Sequence, residues 1–274
     1  DNGEWGIDMY EKLFEPINVG PITIPNRIVR SAHSTALPLK RLIAYHEARA
    51  VGGVGMSTLE ATGVHLSSPA MRSIIPLHDD AVIPFYKELS DSLRPHGMKI
   101  LQQIYHPGSA RAPGKGTFQI SASAIPNPIA GGIPTAMTIP MIEEMIEAFA
   151  SAARRCRDGG LDGIDIHASS GYLIEQFLSP ANNIRTDRYG GSLENRMRFL
   201  MEIIEAIRQE VGTDICVGIR LPNEEYIPGG LTAADNAEIA KIVEPHVDYI
   251  SLHMGSYWRF HKLLSPMDDP LGHE

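Results

Sequence analysis

Side chains that can transfer protons follow one short apolar segment near the middle of the sequence. The segment 163–167 (GIDIH) ends in His167, and Ala-Ser-Ser-Gly separates it from Tyr172. A polar, glycine-bearing stretch directly after a buried strand is where α/β proteins place their catalytic groups. We therefore predict that residues 161–199 hold the chemistry of this chain and that the other elements serve to position them.

Polar residues also follow the other strands that the sequence predicts. In a (β/α)8 barrel such positions converge on the C-terminal face of the sheet, where barrel active sites lie. An open sheet gathers its ligands at a single switch point, so polar residues spread over six strands favour the barrel. The residues concerned are His33, Thr62, Gln103, His167, Arg220 and His253.

Hydrophobic patterns along the chain predict alternating strands and helices, which indicate an α/β fold with a parallel sheet. A hairpin is predicted at 13–29, and the stretches 109–138 and 171–191 have no clear period. Because only six βα units can be counted and a closed barrel needs eight, we expect the last units to follow Glu274, or a part of the protein to be missing from the sequence. Strands are predicted at 27–33, 54–64, 98–105, 163–167, 216–221 and 249–253, and helices at 42–51, 82–94, 141–157, 195–211 and 233–243.

The composition argues against several classes of partner. A net charge of −9 disfavours nucleic acid, and no run of apolar residues is long enough to span a membrane. The two cysteines, Cys156 and Cys216, form no C-x-x-C pair, and no secretory signal is present, which favours a reduced, cytoplasmic setting. The 11 histidines include no H-x-x-x-H pair, so we predict no metal site. We expect one domain, residues 1–274, that binds small molecules, and we leave open whether it forms a homo-oligomer.

The stretch 171–199 (GYLIEQFLSPANNIRTDRYGGSLENRMRF) resembles the signature of the Old Yellow Enzyme family of FMN-dependent NAD(P)H:flavin oxidoreductases. Further matches occur in LFEPINVGPITIPNRIV, YHEARAVGG, QQIYHPG and VGIRL, so that the resemblance covers nearly the whole chain from Leu13 onward. It implies an FMN-binding TIM barrel whose bottom is closed by the N-terminal hairpin. It also implies that the units that hold the FMN phosphate would follow Glu274.

A flavin that accepts and returns hydride needs hydrogen bonds along its pyrimidine edge and a cation near N1. Arg220 suits the cationic role because a guanidinium stays charged when it is partly buried, and Gln103 offers both a donor and acceptors. The resemblance places both residues there. It further implies that the cofactor contacts Ala32, His33 and Ser34 near N5 and O4, and that the small residue Ala61 lets the ring approach. Trimethylamine dehydrogenase attaches its FMN to a cysteine at the position of Ser34, so we expect non-covalent FMN here.

The resemblance assigns the substrate side to His167, Ser170 and Tyr172. In many ene-reductases of the family a His/Asn or His/His pair binds the substrate carbonyl oxygen, and a tyrosine matching Tyr172 delivers a proton to carbon. A phenol suits this step because it is neutral at pH 7 and still donates. Ser170 departs from the pattern, since a serine hydroxyl is shorter than an amide or an imidazole. His253 and Trp258, after the sixth strand, are expected to overhang the substrate face, where an aromatic ring could also bind a methylated amine.

The predicted function is hydride transfer from NAD(P)H through FMN to a small acceptor such as an activated alkene. One alternative is the flavin barrel of an iron–sulfur flavoprotein, similar to dienoyl-CoA reductases or trimethylamine dehydrogenase, with a 4Fe-4S cluster held by residues beyond Glu274. Another alternative, from a different class, is a barrel that binds a ligand without catalysis.

Overall fold

A computed structural model of the chain describes residues 10–68, 75–112, 118–128 and 130–259. The strands are β1 Ile17–Val19, β2 Ile22–Ile24, β3 Val29–Arg30, β4 Met56–Gly63, β5 Lys99–Tyr105, β6 Ile120–Ser121, β7 Thr135–Ala136, β8 Gly163–His167, β9 Cys216–Pro222 and β10 Tyr249–His253. The helices are α1 Glu11–Phe14, α2 Leu39–Val51, α3 Ile83–Leu93, α4 Ile139–Asp158, α5 Leu173–Leu178, α6 Leu193–Val211 and α7 Ala233–Val243.

A six-stranded sheet organises the described part of the chain, with its strands in the order β10-β9-β8-β5-β4-β3. All its pairings are parallel, and the six strands lie side by side in the order in which they occur along the chain. Neighbouring parallel strands joined by helical crossovers are the arrangement of a (β/α)8 barrel. The sheet curls into half of such a barrel, which confirms the predicted fold class.

Apolar side chains on the outer face of the sheet pack against the helices and form the main core. Ile164 and Ile166 of β8 and Val217 and Ile219 of β9 are fully buried there. They alternate with inward-facing residues, as the twofold period of a strand requires. The helices contribute one apolar stripe each, and α6 begins where the Ser192 hydroxyl accepts a hydrogen bond from a backbone N–H. The outer face therefore stabilises the fold and leaves the inner face to polar groups.

The N-terminal hairpin closes the lower end of the half-barrel. Strands β1 and β2 are antiparallel, and Ile22 and Ile24 pack with Met56, Leu101 and Cys216 from the start of three barrel strands. This apolar plug excludes water from the bottom of the inner face. The predicted closure by the hairpin is thus confirmed in the structure.

Three local predictions were wrong. Strand β3 ends at Arg30 rather than at residue 33, and residues 31–38 continue without regular secondary structure, with a left-handed backbone at Ala36. Within 109–138, β6 and β7 form a short parallel pair. The stretch 171–191 contains helix α5, whose six residues are all buried. Its first backbone N–H, that of Leu173, donates to the carbonyl of His106 at 3.0 Å, which ties α5 to the end of β5.

A pair of buried glutamates holds the loop between β8 and α5. Glu175 accepts a hydrogen bond from the backbone N–H of Gly171 at 2.5 Å, while Glu225 accepts from Ser179 and from the Leu231 N–H, both at 2.6 Å. Burial raises the pKa of both carboxyl groups, and the neighbouring Glu225 raises that of Glu175 further. Two buried carboxyl groups that interact do not both ionise readily, so the pair retains one proton, which resides mainly on Glu175.

This pair predicts a pH-dependent stability. The pKa of Glu175 is higher in the folded chain than in the unfolded chain. The protonated Glu175 therefore contributes its full share to the free energy of unfolding below the ordinary glutamate pKa, and this share is lost as the pH rises through the raised pKa. Glu175→Gln keeps an acceptor for Gly171 and supplies a permanent N–H donor to Glu225. Above neutral pH, we expect the free energy of unfolding of this variant to fall less steeply than that of the parent chain. The two slopes should differ by up to about 1.4 kcal/mol per pH unit. Urea unfolding from pH 6 to 9 measures the difference.

The exposed Glu205→Gln, which removes the same charge, is the control and should keep the slope of the parent chain. Equal slopes in Glu175→Gln and in the parent would contradict a proton shared between Glu175 and Glu225.

Candidate active site

Two layers of side chains on the inner face of the sheet form the candidate site. Residues two apart on a strand point to the same face, and register partners on neighbouring strands share that face. Two side chains at the upper end of this face, His167 and Arg220, are among those predicted to follow the strands. The lower layer contains Gln103, Asp165, Gly218 and Tyr249, and the upper layer contains Tyr105, His167, Arg220 and Ser251.

Asp165 is the centre of the lower layer. Its carboxylate accepts a hydrogen bond from the Gln103 amide nitrogen at 2.6 Å and another from the Tyr249 hydroxyl at 2.9 Å. Burial raises the pKa of Asp165, although both hydrogen bonds and the charge of Arg220 act in the opposite direction. Because one N–H of the Gln103 amide donates to Asp165, the orientation of the amide is set, and its carbonyl oxygen can accept a hydrogen bond from a ligand.

Gly218 makes this layer possible. Tyr249 comes from β10 and must cross β9 to reach Asp165 on β8, and its ring passes directly over Gly218. A Cβ atom at position 218 would lie 2.0 Å from Cε1 of Tyr249, which is too close for any side chain. The absence of a side chain at Gly218 therefore lets the Tyr249 hydroxyl reach and hydrogen-bond the Asp165 carboxylate two strands away.

Arg220 supplies the positive charge of the upper layer. It is half-buried, and burial lowers its pKa, whereas the nearby Asp165 and Tyr249 act to raise it. Within the described residues its guanidinium donates no hydrogen bond and forms no ion pair. A partly buried guanidinium that lacks an acceptor is a ready site for an electron-rich ligand atom.

These observations fit the flavin that the sequence analysis expects at this face. The free carbonyl oxygen of Gln103 matches an N–H donor such as flavin N3, and the unpaired guanidinium of Arg220 matches the oxygen and N1 edge where negative charge develops. Both groups lie on adjacent layers of one face. Gln103 and Arg220 are therefore brought together as predicted, and their roles toward the cofactor remain predictions.

The other predicted cofactor contacts lie on the segment after β3 and on β4. His33 and Ser34 are exposed, and Ala32 and Ala61 are half-buried. Ala61 packs against the cluster of Tyr105 and Tyr172 described below. The segment itself is anchored at Thr35, whose backbone N–H and hydroxyl donate to the buried Glu60 at 2.7 and 3.1 Å. The structure thus places these residues at the upper end of the half-barrel, and their contacts with a cofactor stay predictions.

His167 is held as a neutral imidazole. Its Nδ1 faces the backbone N–H and the hydroxyl of Ser169 at 3.4 and 3.2 Å, which assigns the ring proton to Nε2. Burial lowers the pKa of His167 well below its usual range, and the charges of His253 and Arg220 lower it further. His167 is therefore suited to donate a hydrogen bond from Nε2 to a substrate oxygen at neutral pH.

Tyr172 lies in a cluster of aromatic rings. Its ring centroid is 4.8 Å from that of His167 and 4.9 Å from that of Tyr105, and its hydroxyl donates to the Tyr257 hydroxyl at 3.1 Å. Burial raises the pKa of Tyr172 well above 10, and the neighbouring Tyr257 and Tyr105 add to this, whereas Arg111 lowers it. Tyr172 is consequently protonated at neutral pH and placed beside His167.

Ser170 and His253 contact each other. The Ser170 hydroxyl is 3.4 Å from Nδ1 of His253, at the end of β10. Ser170 has a left-handed backbone, with φ of 65°, and it forms a backbone bridge to Ser256. The predicted second polar group beside His167 is thus a short hydroxyl with an imidazole directly behind it.

Trp258 lies next to the same loop. A Cβ atom built on Gly171 would lie 3.8 Å from Cδ1 of Trp258, so the indole packs over the glycine backbone. It is Tyr257, one residue earlier, whose ring contacts Tyr172, at a centroid distance of 5.7 Å. The structure therefore places Trp258 against the loop, and its predicted contact with the substrate remains untested.

Sequence reasoning missed four residues of this site: Tyr105, Arg111, Asp165 and Tyr249. The one signal available for Asp165 was a lone acidic residue inside an apolar strand, which requires a buried partner. Tyr105 and Tyr249 resemble core residues in the sequence. Arg111 lies in the stretch without a clear period, where no pattern indicates which way a side chain points.

Two further findings concern the described parts of the chain. In residues 10–68, 75–112, 118–128 and 130–259, no three His, Cys, Asp or Glu side chains are grouped as a metal ion requires. Among the helices in those ranges, none combines the length and the apolar character that a membrane crossing demands.

Comparisons with known proteins agree with the geometry. The NADH oxidase of Thermoanaerobacter brockii is 38% identical over 271 residues, a match that covers 94% of this chain and 41% of that protein. An NADPH dehydrogenase of Geobacillus sp. (strain WCH70) is 38% identical over 256 residues, covering 90% of this chain and 74% of that protein. The solved structure of 2-naphthoyl-CoA reductase with 2-naphthoyl-CoA matches with a TM-score of 0.83 and 33% identity, over 91% of this chain and 41% of that chain.

The chain thus spans less than half of the NADH oxidase and about three quarters of the NADPH dehydrogenase. A family model matches residues 12–264, and it describes the proteins whose signature the sequence analysis found at 171–199. Because this match covers nearly the whole chain, the chain belongs to the NADH:flavin oxidoreductase / NADH oxidase family.

Proposed function

We propose that this chain is the catalytic barrel of an FMN-dependent oxidoreductase that passes hydride from NAD(P)H to an activated alkene. The observation that carries the proposal is the inner face of the sheet. There a guanidinium without an ion-pair partner among the described residues, an oriented amide and a neutral imidazole lie on adjacent strands, and a buried phenol follows in the loop after β8. The first two groups suit the cofactor, and the last two suit the substrate.

Gln103 and Arg220 would hold the pyrimidine edge of FMN, with the segment 31–34 and Ala61 beside the rest of the ring system. FMN, when bound, supplies the hydride that NAD(P)H gives up and the acceptor receives. Asp165 keeps Gln103 in one orientation, and Arg220 attracts the negative charge that this chemistry develops. The plug below the lower layer keeps water away from that end of the site.

His167 and the Ser170–His253 pair would bind the carbonyl oxygen of the acceptor. The Nε2–H of His167 is the donor on one side, since Nδ1 is occupied by Ser169. On the other side, the Ser170 hydroxyl, backed by His253 at 3.4 Å, takes the place of the longer side chain found in many relatives. Two hydrogen bonds to that oxygen draw electrons from the double bond and prepare its far carbon for hydride.

Tyr172 would deliver the proton that completes the reduction. Its hydroxyl is protonated at neutral pH, because burial and the neighbouring tyrosines raise its pKa. The carbon that becomes negatively charged after hydride transfer is a strong base and takes the proton from the phenol. General-acid steps of this kind accelerate reactions by about 10²- to 10⁴-fold.

The alternative of a methylated-amine substrate is weakened by a cation already in the aromatic cluster. The Arg111 guanidinium lies 5.4 Å from the ring centroid of Tyr257, so that this ring already has a cation–π partner. A second cation beside Arg111 would be repelled.

The alternative of a larger iron–sulfur flavoprotein stays open, since it depends on residues after Glu274. A barrel without catalysis would not need His167 and Tyr172 in contact over a face that fits a flavin.

We also infer a reducing, cytoplasmic setting, because Cys156 and Cys216 are both buried and unpaired. Small molecules are the expected partners, and a homo-oligomer remains open.

The Tyr172→Phe variant tests the proton donor. With FMN bound, reduction of 2-cyclohexenone should slow by about 100-fold or more, since the C–H bond must then take its proton from water. Reduction of the enzyme by NADPH should stay close to that of the parent, because this step needs no proton from Tyr172. Anaerobic stopped-flow absorbance measures the two half-reactions separately, and an equal loss in both would contradict the assigned role.

Gly218→Ala tests the lower layer. The added methyl group displaces the Tyr249 ring, leaves Asp165 with one donor fewer and loosens Gln103. We expect a stability loss of about 1–3 kcal/mol and weaker FMN binding, measured by urea unfolding and by fluorescence titration with FMN. Tyr249→Phe, which removes only the hydroxyl, is the matched variant and should also weaken FMN binding. Unchanged affinity in both variants would show that Asp165 does not orient Gln103.

The attachment of FMN gives a further test. Ser34 offers a hydroxyl and no thiol, so we expect the flavin to be released completely when the holoprotein is denatured in acid. Absorbance of the supernatant and of the pelleted protein at flavin wavelengths measures the partition. Yellow colour that stays with the denatured chain would contradict non-covalent binding.

A further inference from the structure

Arg111 is a charged residue of the site to which the proposed reaction has so far given no role. It is half-buried in the segment after β5, and within the described residues its side chain has no carboxylate partner. Its Nε atom is buried without any hydrogen-bond acceptor. A half-buried cation that has phenols but no carboxylate beside it among the described residues is costly unless it meets a negative charge during function.

The groups around Arg111 are phenols. Its guanidinium lies over the Tyr257 ring at 5.4 Å, and the Tyr257 hydroxyl is 3.1 Å from that of Tyr172. The guanidinium also interacts with the hydroxyls of Tyr172, Tyr257 and Tyr105, which together outweigh the effect of burial and raise the pKa of Arg111. Arg111 therefore faces the one oxygen that the proposed reaction turns into an anion.

The backbone of Arg111 is held in place. Its carbonyl oxygen accepts a hydrogen bond from the Gln119 side chain at 2.8 Å, and the same amide group donates to the Ser109 carbonyl at 3.2 Å. The Ser109 N–H in turn donates to Gln176 of helix α5 at 3.2 Å. Arg111 is thus tied to the helix that follows Tyr172, and the two residues keep a fixed relation.

We propose that Arg111 is an electrostatic positioning residue that stabilises the phenolate of Tyr172 while the acceptor is protonated. In this step a C–H bond forms on the substrate, the O–H bond of Tyr172 breaks, and its electron pair stays on the phenol oxygen. The half-buried Tyr257 hydroxyl then returns a proton to Tyr172 and regains one from solvent. The inference rests on the proposed function, because it requires Tyr172 to be the donor.

The other groups that face Tyr172 cannot offset this charge. Tyr105 from β5 and Tyr257 both raise the pKa of Tyr172, and His167 from β8 is neutral because burial lowers its own pKa. His253 lies beyond Ser170, 3.4 Å from that hydroxyl. Arg111 is the cation that acts to lower the pKa of Tyr172.

The first readout does not depend on turnover. We would place 3,5-difluorotyrosine at position 172 and follow its ionisation by ¹⁹F NMR in the FMN-loaded protein. The pKa of this residue should be higher by about 1 unit or more in Arg111→Met than in the parent, and Arg111→Lys should restore most of the difference. Arg94→Met, which removes an exposed arginine at the opposite end of the barrel, should leave the titration unchanged.

The second readout separates protonation from hydride transfer. Arg111→Met should lower kcat for 2-cyclohexenone by about tenfold or more, with little change in KM, while the rate with benzoquinone stays near the parent because its protons go to oxygen. Arg111→Gln gives the same comparison if the Met variant does not bind FMN. An unchanged pKa at position 172, or a loss confined to KM for carboxylate-bearing acceptors, would overturn the proposal.

The Tyr172→Phe variant distinguishes a failure of the proposed function from a failure of the role proposed for Arg111. If Tyr172→Phe reduces 2-cyclohexenone as fast as the parent, Tyr172 is not the donor and the role of Arg111 falls with it. If Tyr172→Phe reduces 2-cyclohexenone slowly and the Arg111 variants reduce it as fast as the parent, Tyr172 is still the proton donor and only the role of Arg111 is refuted.

Discussion

The buried carboxylate of Asp165 is the interaction on which the rest of the candidate site depends. A carboxylate on the inner face of a barrel is stable only if donors surround it, and here they come from β5 and β10 with a cation nearby on β9. This requirement fixes the orientation of the Gln103 amide and demands a glycine beneath Tyr249. Arg220 interacts with Asp165 through its charge and, among the described residues, forms no ion pair with it. The site is consequently oriented before any ligand arrives, which reduces the cost of binding.

At the upper end of the site, burial likewise keeps titratable groups neutral. His167 is neutral because burial lowers its pKa, with His253 and Arg220 acting in the same direction, and burial keeps a proton on Glu175. Within the described part of the chain, the cations left to meet a ligand at this face are therefore the guanidinium groups of Arg220 and Arg111. A site of this kind favours reactions in which negative charge develops on a ligand or on a phenol, and it disfavours cationic substrates.

The sequence predicted the sheet and most helices because their apolar residues recur with clear periods, and it predicted Gln103, Arg220, His167 and Tyr172 from their types and from the family signature. It could not predict α5, whose six buried residues are too few to show a period. It extended β3 to His33 because the residue pattern does not show where the pairing with β4 ends, which is at Arg30. Arg111 and the Gln103–Asp165–Tyr249 layer depend on contacts between segments far apart in the chain, and no local pattern encodes such contacts.

Ser170 shows how backbone and side-chain constraints combine in the loop after β8. Its left-handed backbone is followed by a second left-handed residue, Gly171, and a turn of this kind costs free energy at a residue that has a Cβ. The Gly171 N–H donates to Glu175, and Ser256 and Trp258 lie next to the Gly171 backbone. The turn is thus held by neighbouring segments, and the Ser170 hydroxyl lies 3.4 Å from His253. A serine here therefore does not remove the second polar group from the site, because the fold supplies an imidazole from β10 directly behind it.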